Sequence, residues 1–196
     1  MVSNRRIGAE DSKSRAALLD ATEQLMLEEG YAAVSSRRIA ERADLKPQLV
    51  HYYFRTMDDL FLAAFRRRAE IGLERLTEAL ASGETLRTLW AFGDDPTSTA
   101  LNMEFVALAN HRKSIRSEIA RYAERFRDLQ AGALAAVMEE RGIDGERYPP
   151  IAVMTVLTSV AQILVLEESL GIVTGHDETR ALVARILDGS GPGGAR

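Results

Sequence analysis

The chain has 196 residues, of which 46% are apolar, and its formal net charge is −4 at pH 7. This composition allows a sizeable core and argues against a general nucleic-acid coat protein, although residues 1–75 are nearly balanced in charge and the acidic excess lies in residues 76–196. The absence of cysteine excludes disulfides and thiol catalysis and is typical of a cytoplasmic protein. The charged start lacks the apolar segment of a secretory signal, and no apolar run is long enough for a membrane span, so we expect no membrane partner.

The N-terminal segment predicts an arm followed by one amphipathic helix. Residues 1–12 are expected to form a disordered arm that carries Arg5 and Arg6. The first helix is predicted from Lys13 to Glu29, and Gly30 closes it as a C-cap. The apolar residues that form its inner stripe are Leu18, Ala21, Leu25 and Met26.

The stretch from Ser35 to Thr56 predicts two short helices joined by a tight turn. Ser35 is a good N-cap for the second helix, and Pro47 suits the first turn of the third. Val50 and Phe54 are four residues apart and therefore face inward together. Apart from Leu49, the residues expected to face outward from Lys46 to Tyr53 are polar or aromatic, which is what a helix in the major groove needs. This arrangement is a helix-turn-helix.

Several residues from Gly30 onwards follow one another in a characteristic order and spacing without a gap. They are Gly30-Tyr31, Ile39-Ala40, Ala43, Leu45, Tyr52-Tyr53-Phe54 and Leu60-Phe61. In these residues the sequence resembles the TetR family of bacterial transcriptional repressors. Three positions depart from the family pattern. Asp44 stands where the family has a turn glycine, His51 replaces a usual tyrosine, and Met57 replaces a lysine that contacts a phosphate.

The resemblance implies a homodimer on a palindromic operator of double-stranded DNA, with a ligand that alters the spacing of the two heads. Arg37 is the first candidate for a base contact, because family members use this position to reach guanine and arginine matches the O6 and N7 atoms of that base. The other predicted DNA-binding residues are Ser35, Ser36, Lys46, Pro47, Gln48, Leu49, His51, Tyr52, Tyr53 and Thr56.

Six further helices are predicted. The fourth begins at Thr56 and is about 25 residues long. The other five are predicted at Thr85 to Phe92, Thr97 to Asn110, Ser114 to Arg141, Pro150 to Gly171 and Asp177 to Leu187. Thr56 and Asp59 form a capping-box-like pair at the start of the fourth helix. The triplet Arg66–Arg68 could face DNA but is more typical of a solvated turn, and Glu118 is expected on the polar face of the seventh helix.

The eighth helix is apolar around its whole circumference, because no charged residue occurs between Ile151 and Leu166. A helix of this kind must be buried on all sides, and this one is short for a membrane span. We therefore expect it to pair, together with the ninth helix, with the same helices of a second copy. The predicted dimer-interface residues are Val160, Leu164, Leu182, Val183 and Ile186.

Helices five to eight contribute aromatic residues and methionines, a mixture that packs irregularly and adapts to varied shapes. The core built from them is either full or lines a pocket for a small, mainly hydrophobic effector. A sugar or a nucleotide would need more polar groups than this region offers. The predicted ligand-binding residues are Trp90, Phe92, Asn102, Met103, Glu104, Val106, His111, Phe126, Leu129, Met154, Leu157 and Gln162.

The sequence therefore predicts an all-α protein of about nine helices. Residues 1–56 would comprise the arm and the three-helix DNA-binding head, 57–188 a helical ligand-binding and dimerisation domain, and 189–196 a disordered tail. No catalytic pair, metal cluster or cofactor motif is present, so we expect a regulator and not an enzyme. The alternative is a ligand-binding helical dimer without specific DNA binding, given the departures at Asp44, His51 and Met57.

Overall fold

The computed structural model describes residues 13–188, so the predicted arm and tail lie outside the described residues. Those residues form nine α-helices, one short 3-10 turn at Tyr31–Ala33 and no strand, which confirms the all-α prediction. The helices are α1 (Lys13–Glu29), α2 (Ser36–Arg42), α3 (Pro47–Tyr53), α4 (Met57–Leu80), α5 (Thr85–Gly93), α6 (Pro96–Ala109), α7 (Lys113–Glu140), α8 (Pro150–Ser169) and α9 (His176–Leu187).

The packing of the chain divides the described residues into two compact units. One unit contains residues 13–72 and 100–123, and the other contains residues 73–99 and 124–188. The long helices α4 and α7 and the helix α6 each contribute to both units. The predicted boundary at residue 56 separates a DNA-binding head from the rest of the chain by expected function, whereas the two units are defined by packing. That boundary stays a prediction.

The first unit has a continuous apolar core. Its helical head buries Leu18, Ile39, Val50 and Phe54, as the periodicity of α1, α2 and α3 predicts. An aromatic group extends this core through α4, α6 and α7. The ring of Phe65 packs edge-on against Phe105 at 5.3 Å and against Tyr122 at 5.6 Å, measured between ring centroids. The part of α6 from residue 100 onwards thus belongs to the same packed unit as the head.

The arginine triplet of α4 is engaged in ion pairs and does not form the solvated turn that the sequence favours. Arg66 donates from Nε to Glu118 at 2.5 Å, and Arg67 pairs with Asp20 and Glu23 of α1 at 2.7 Å. Arg68 lies 3.8 Å from Glu23. These contacts connect α4 to its neighbours in the first unit.

Glu118 is buried, so its expected place on the polar face of α7 is wrong. The residue is only 9% exposed, and its carboxylate also accepts a hydrogen bond of 2.7 Å from Arg121. The hydrogen bond from Arg121, followed by the one from Arg66, lowers the pKa of Glu118 to about 2. A helical stripe does not reveal this arrangement, because the partner Arg66 lies 52 residues earlier in the chain.

The second unit is built around a cluster of five buried apolar side chains from α4, α5, α7 and α8. The cluster consists of Leu76, Leu89, Leu134, Met138 and Met154. α5 packs against α8 at close range, since a Cβ atom added to Gly93 would lie 3.0 Å from the Cβ of Ala161. Gly93 ends α5 and Pro96 begins α6, so the predicted loop between them shrinks to Asp94 and Asp95.

A group of charged side chains ties α8 to α9. The imidazole of His176 is buried at the start of α9 and meets two carboxylates, with Nε2 at 2.9 Å from Glu167 and Nδ1 at 3.4 Å from Glu168. These contacts raise the pKa of His176, chiefly through the hydrogen bond to Glu167. Arg180 of α9 pairs with Glu168 at 2.8 Å and also with Asp94.

α8 is not buried on all sides within one chain. By length and composition alone it could cross a membrane, a test that the core helices of soluble proteins also pass. Within the described chain, only 22% of its apolar stretch is buried. Its outward side chains include Val156, at 62% exposed, and Ile163. Leu164, expected on the outward face, is 4% exposed and packs inward, as does Val183 of α9. Val160 is half-buried.

Replacing Glu118 with glutamine tests the ion group of the first unit through its pH dependence. The ordinary pKa of this carboxyl is 4.5, so its depressed pKa contributes stability above that pH, and the contribution is lost as the pH falls towards 2. We expect Glu118→Gln to lower the free energy of unfolding at pH 7 by about 1–2 kcal/mol, since the two arginines are half-exposed and partly screened. Urea unfolding from pH 3 to pH 7 measures the difference.

The exposed Glu124 of α7 provides the matched control, because Glu124→Gln changes the same formal charge on the same helix. The Glu118→Gln difference should shrink as the pH falls below 4.5, whereas the control should stay near the wild type. A difference that is the same at pH 3 and pH 7 would contradict the assignment of the low pKa to Glu118.

Candidate nucleic-acid interface

Two of the three arginines of α2 form ion pairs with α1, and the third is exposed. Arg38 pairs with Glu29 of α1, and Arg42 pairs with Glu28 at 2.6 Å. Arg37 precedes both in sequence and is exposed. Among residues 13–188, its side chain has no ion pair or hydrogen bond. Arg37 is therefore the α2 arginine whose five donors are open to an outside partner.

The turn between α2 and α3 depends on a left-handed residue. Asp44 has φ of 52°, and it is the non-glycine residue with positive φ among those that the structure describes. Aspartate adopts this conformation more readily than most residues, although glycine does so at lower cost. The backbone N–H of Leu45 donates to Ala40 at 2.8 Å and closes the turn. The departure from the family glycine thus leaves the geometry of the turn intact.

α3 presents a polar and aromatic outer face. Val50 and Phe54 are buried, and Gln48, His51 and Tyr52 are exposed three or four residues apart. Pro47 and Lys46 are exposed at the N-terminal end of the same helix, where Lys46 is the N-cap residue. The face therefore combines hydrogen-bond donors, acceptors and one cation within two helical turns.

Three predicted DNA-binding residues are only partly accessible. Ser36, Leu49 and Tyr53 are half-buried. The ring of Tyr53 lies close to the rings of both neighbours, with centroid distances of 5.0 Å to Tyr52 and 6.4 Å to Phe54. Tyr53 thus supports the orientation of Tyr52 as well as offering its own hydroxyl.

The start of α4 is closed by its own side chains. The N–H of Thr56 donates to the Asp59 carboxylate, and the N–H of Asp59 donates to the Thr56 hydroxyl, both at 3.1 Å, which confirms the capping box. The hydroxyl of Thr56 is exposed and retains its own hydrogen for a phosphate. Asp58 pairs with Arg112, whose guanidinium also lies over the ring of Phe61.

The predicted ligand-binding residues do not form one site. In the second unit, Met154 belongs to the buried cluster, and four others pack against that cluster: Phe92, Phe126, Leu129 and Leu157. Five others are exposed: Asn102, Met103, Val106, His111 and Gln162. The expectation that these five line an internal pocket is wrong for this structure, because α6 turns Leu101, Phe105 and Leu108 inward instead.

Two of the predicted ligand residues have other surroundings. Glu104 accepts a hydrogen bond from the backbone N–H of Tyr31. Trp90 is half-buried and lines an open groove of about 180 Å³ in the second unit. The groove is lined by Arg87, Trp90, Arg180, Val183, Ala184, Leu187 and Asp188. Its two arginines lie on separate helices, and nothing in their spacing along the sequence connects them, so no sequence pattern predicts the groove.

Metal binding finds no support in this part of the chain, because residues 13–188 contain no group of three or more histidine or acidic side chains arranged around a common point. What the described structure offers is an exposed recognition face on a helix-turn-helix. The fold is that of a helix-turn-helix, the class of domain found in transcriptional regulators.

Comparison with known proteins points to one family of regulators. Residues 18–64 match the model of the bacterial regulatory proteins of the tetR family. This match and the similar solved structures support a regulator of the TetR family, whose members are transcriptional regulators and not enzymes. Among curated proteins, none matches the sequence.

Solved structures share the fold over nearly the whole chain. A TetR-family transcriptional regulator from Rhodococcus sp. is 19% identical, covers 90% of this chain and 98% of its own, and superposes with a TM-score of 0.73. A transcriptional regulator from Saccharomonospora viridis in complex with choline is 18% identical, with coverages of 91% and 97% and a TM-score of 0.75. The multidrug binding protein EbrR, complexed with imidazole, is 25% identical, with coverages of 94% and 98% and a TM-score of 0.60.

Proposed function

We propose that the protein is a cytoplasmic transcriptional repressor that binds a palindromic operator as a homodimer. A small, mainly hydrophobic ligand would release it from the DNA. The observation that carries the proposal is the exposure of Arg37 on α2, which packs against α3, while Arg38 and Arg42 are held in ion pairs with α1. A cation without an internal partner and a polar helix face suit the edges of bases and the phosphates around them.

Homodimer formation is supported by the exposed apolar side chains of α8 and α9. Val156, Ile163 and Leu170 are seven residues apart in succession and therefore lie on one side of α8 and its end. On α9, Leu182 and Ile186 are four residues apart and also exposed. Side chains of this size seldom form a continuous exposed face unless a partner covers it. We assign the interface to this face and not to Leu164 or Val183, which the chain itself buries.

Ligand binding is supported less directly. The similar solved structures include one bound to choline, which carries a quaternary ammonium group, and one bound to imidazole, which carries ring nitrogens. In this chain the predicted apolar ligand residues surround Met154 in the second unit, where methionines can repack around an added group. A ligand that binds this region and favours the released form would weaken the operator complex by its differential affinity.

Replacing Arg37 tests the docking of the head. Arg37→Ala should weaken binding to the operator by about 1–3 kcal/mol and relax specificity at one base pair in each half-site. The operator is first selected from a random library of duplexes by the wild-type protein. Fluorescence anisotropy then gives the affinities of wild type and variant for the selected duplex and for its single-base variants at one salt concentration.

The exposed Arg127 of α7 provides the control, since Arg127→Ala removes the same charge away from the head. Its affinity for the operator should stay near that of the wild type. If both Arg37→Ala and Gln48→Ala bind the operator as the wild type does, the docking is wrong. A wild type that selects no sequence would favour the alternative, a ligand-binding dimer without specific DNA binding.

Placing a charge on the exposed face of α8 tests the dimer. Ile163→Glu would bury a carboxylate without a partner at the interface, and we expect association to weaken by at least about 2 kcal/mol. Analytical ultracentrifugation at micromolar concentration should then show a monomer in place of the wild-type dimer. Ala136→Glu introduces the same side chain at an exposed position of α7 and should remain dimeric. A monomeric wild type would refute the proposal.

Release from the operator tests the class of ligand. We expect members of a panel of sterols, fatty acyl compounds and aromatic amines to displace the protein from its selected duplex, because the candidate region is mainly apolar. Anisotropy of the labelled duplex measures displacement, and a matched panel of sugars, nucleotides and amino acids serves as the comparison. Displacement by the polar panel alone would contradict the assignment.

A further inference from the structure

The 3-10 turn between α1 and α2 is closed by a residue that lies far away in sequence. Gly30 precedes the turn and has no side chain with which to cap it. The backbone N–H of Tyr31, the first residue of the turn, donates instead to the Glu104 carboxylate of α6 at 2.7 Å. A carboxylate at the N-terminal end of a helical turn satisfies an otherwise open donor and interacts favourably with its dipole.

The backbone around Gly30 is shaped for this contact. Gly30 has φ of 81° and ψ of 161°, a region that is essentially restricted to glycine. A Cβ atom at this position would lie 3.4 Å from Oε2 of Glu104, which is the close limit of ordinary van der Waals contact. The backbone conformation, and not a clash, is therefore what favours glycine at position 30, next to the amide that the carboxylate caps.

Glu104 lies on the inner stripe of α6, not on its outer face. It follows Leu101 by three residues and precedes Leu108 by four, and both leucines are fully buried. A charged residue on such a stripe needs a polar partner. Tyr31 supplies that partner, which accounts for a glutamate in this position without any ligand.

The turn is held at its other end by α2. Arg38 donates from Nη1 to the carbonyl oxygen of Ala33, the last residue of the turn, at 3.3 Å. Arg38 immediately follows Arg37, the candidate base-reading residue. A continuous series of contacts thus runs from Glu104 through the turn to α2 within the first unit.

We propose that Glu104 is a positioning residue of the DNA-binding head. By capping the turn between α1 and α2, it fixes α2, and with it Arg37, relative to α6. The inference rests on the proposed function only in its final step, since the contact itself is independent of DNA. It assigns Glu104 to the head in place of the ligand pocket that the sequence suggested.

The test combines amide exchange at Tyr31 with DNA affinity in the same variants. Glu104→Ala should make the Tyr31 amide exchange at least about tenfold faster, measured by NMR well below the unfolding temperature. The same variant should lose about tenfold in affinity for the selected operator while keeping its affinity for a scrambled duplex, since phosphate contacts alone carry the latter. The amide oxygen of Glu104→Gln can still accept the hydrogen bond and should restore most of both properties.

Glu139→Ala, the same substitution at an exposed position of α7, controls for the loss of a charge and should change neither property. If Glu104→Ala does not fold, Glu104→Asp, which withdraws the carboxylate by one methylene, takes its place in the comparison.

Each result decides the inference. Unchanged exchange at Tyr31 in Glu104→Ala would show that the cap does not exist, and faster exchange with unchanged operator affinity would show that it positions nothing. A glutamine variant as impaired as the alanine variant would refute the hydrogen bond as the cause. A wild type without a preferred DNA sequence would refute the proposed function and the positioning role together, while the Tyr31 exchange rates would still establish the contact.

Discussion

The orientation of α3 depends on the burial of two side chains, Val50 and Phe54. Both are almost completely removed from solvent, and the guanidinium of Arg15 covers the ring of Phe54 at 5.3 Å. A helix has a fixed angular spacing, so burying these two residues determines which residues face outward. Gln48, His51 and Tyr52 are exposed for this reason alone. The left-handed turn at Asp44 completes the constraint, because it sets the direction in which α3 leaves α2.

Charged residues in this protein stabilise contacts between distant parts of the first unit. Glu118 of α7 pairs with Arg66 of α4, and Arg112, just before α7, pairs with Asp58 of α4. Glu104 of α6 accepts a hydrogen bond from the backbone of Tyr31. Each of the two glutamates lies on a helix side that is otherwise apolar. Burial of a charge is costly unless it is paired and hydrogen-bonded, so these positions tie specific elements together in one arrangement. The head, α4, α6 and the first part of α7 are connected in this way.

Local patterns were sufficient for the helices and their ends. The 3.6-residue period predicted the bounds of α1. The residue types at Ser35 and at Thr56 predicted the N-cap and the capping box, because both features involve neighbours in sequence. The positive φ of Asp44 also followed from the family pattern of the turn.

The same patterns failed where partners are remote or where a helix lacks a polar side. α8 is apolar all round, so its sequence does not indicate which face packs inward, and Leu164 was placed on the wrong one. Glu118 was placed by the expectation that charges face solvent, and Glu104 was expected to line a ligand pocket. One signal was present for Glu104: its spacing from Leu101 and Leu108 put a carboxylate on the inner stripe, which required a partner.

The distance in sequence between Tyr31 and Glu104 has a consequence for biosynthesis. The segment that forms α1, α2 and α3 leaves the ribosome before residue 104 is translated. In the nascent helix-turn-helix, the Tyr31 amide therefore donates to water before it can donate to Glu104, which lies 73 residues later. Its other contacts, such as those of Arg38 and Arg42 with α1, span at most 14 residues and form early. The nascent head is thus assembled from nearby parts first, and it is completed only when α6 emerges and folds back onto it.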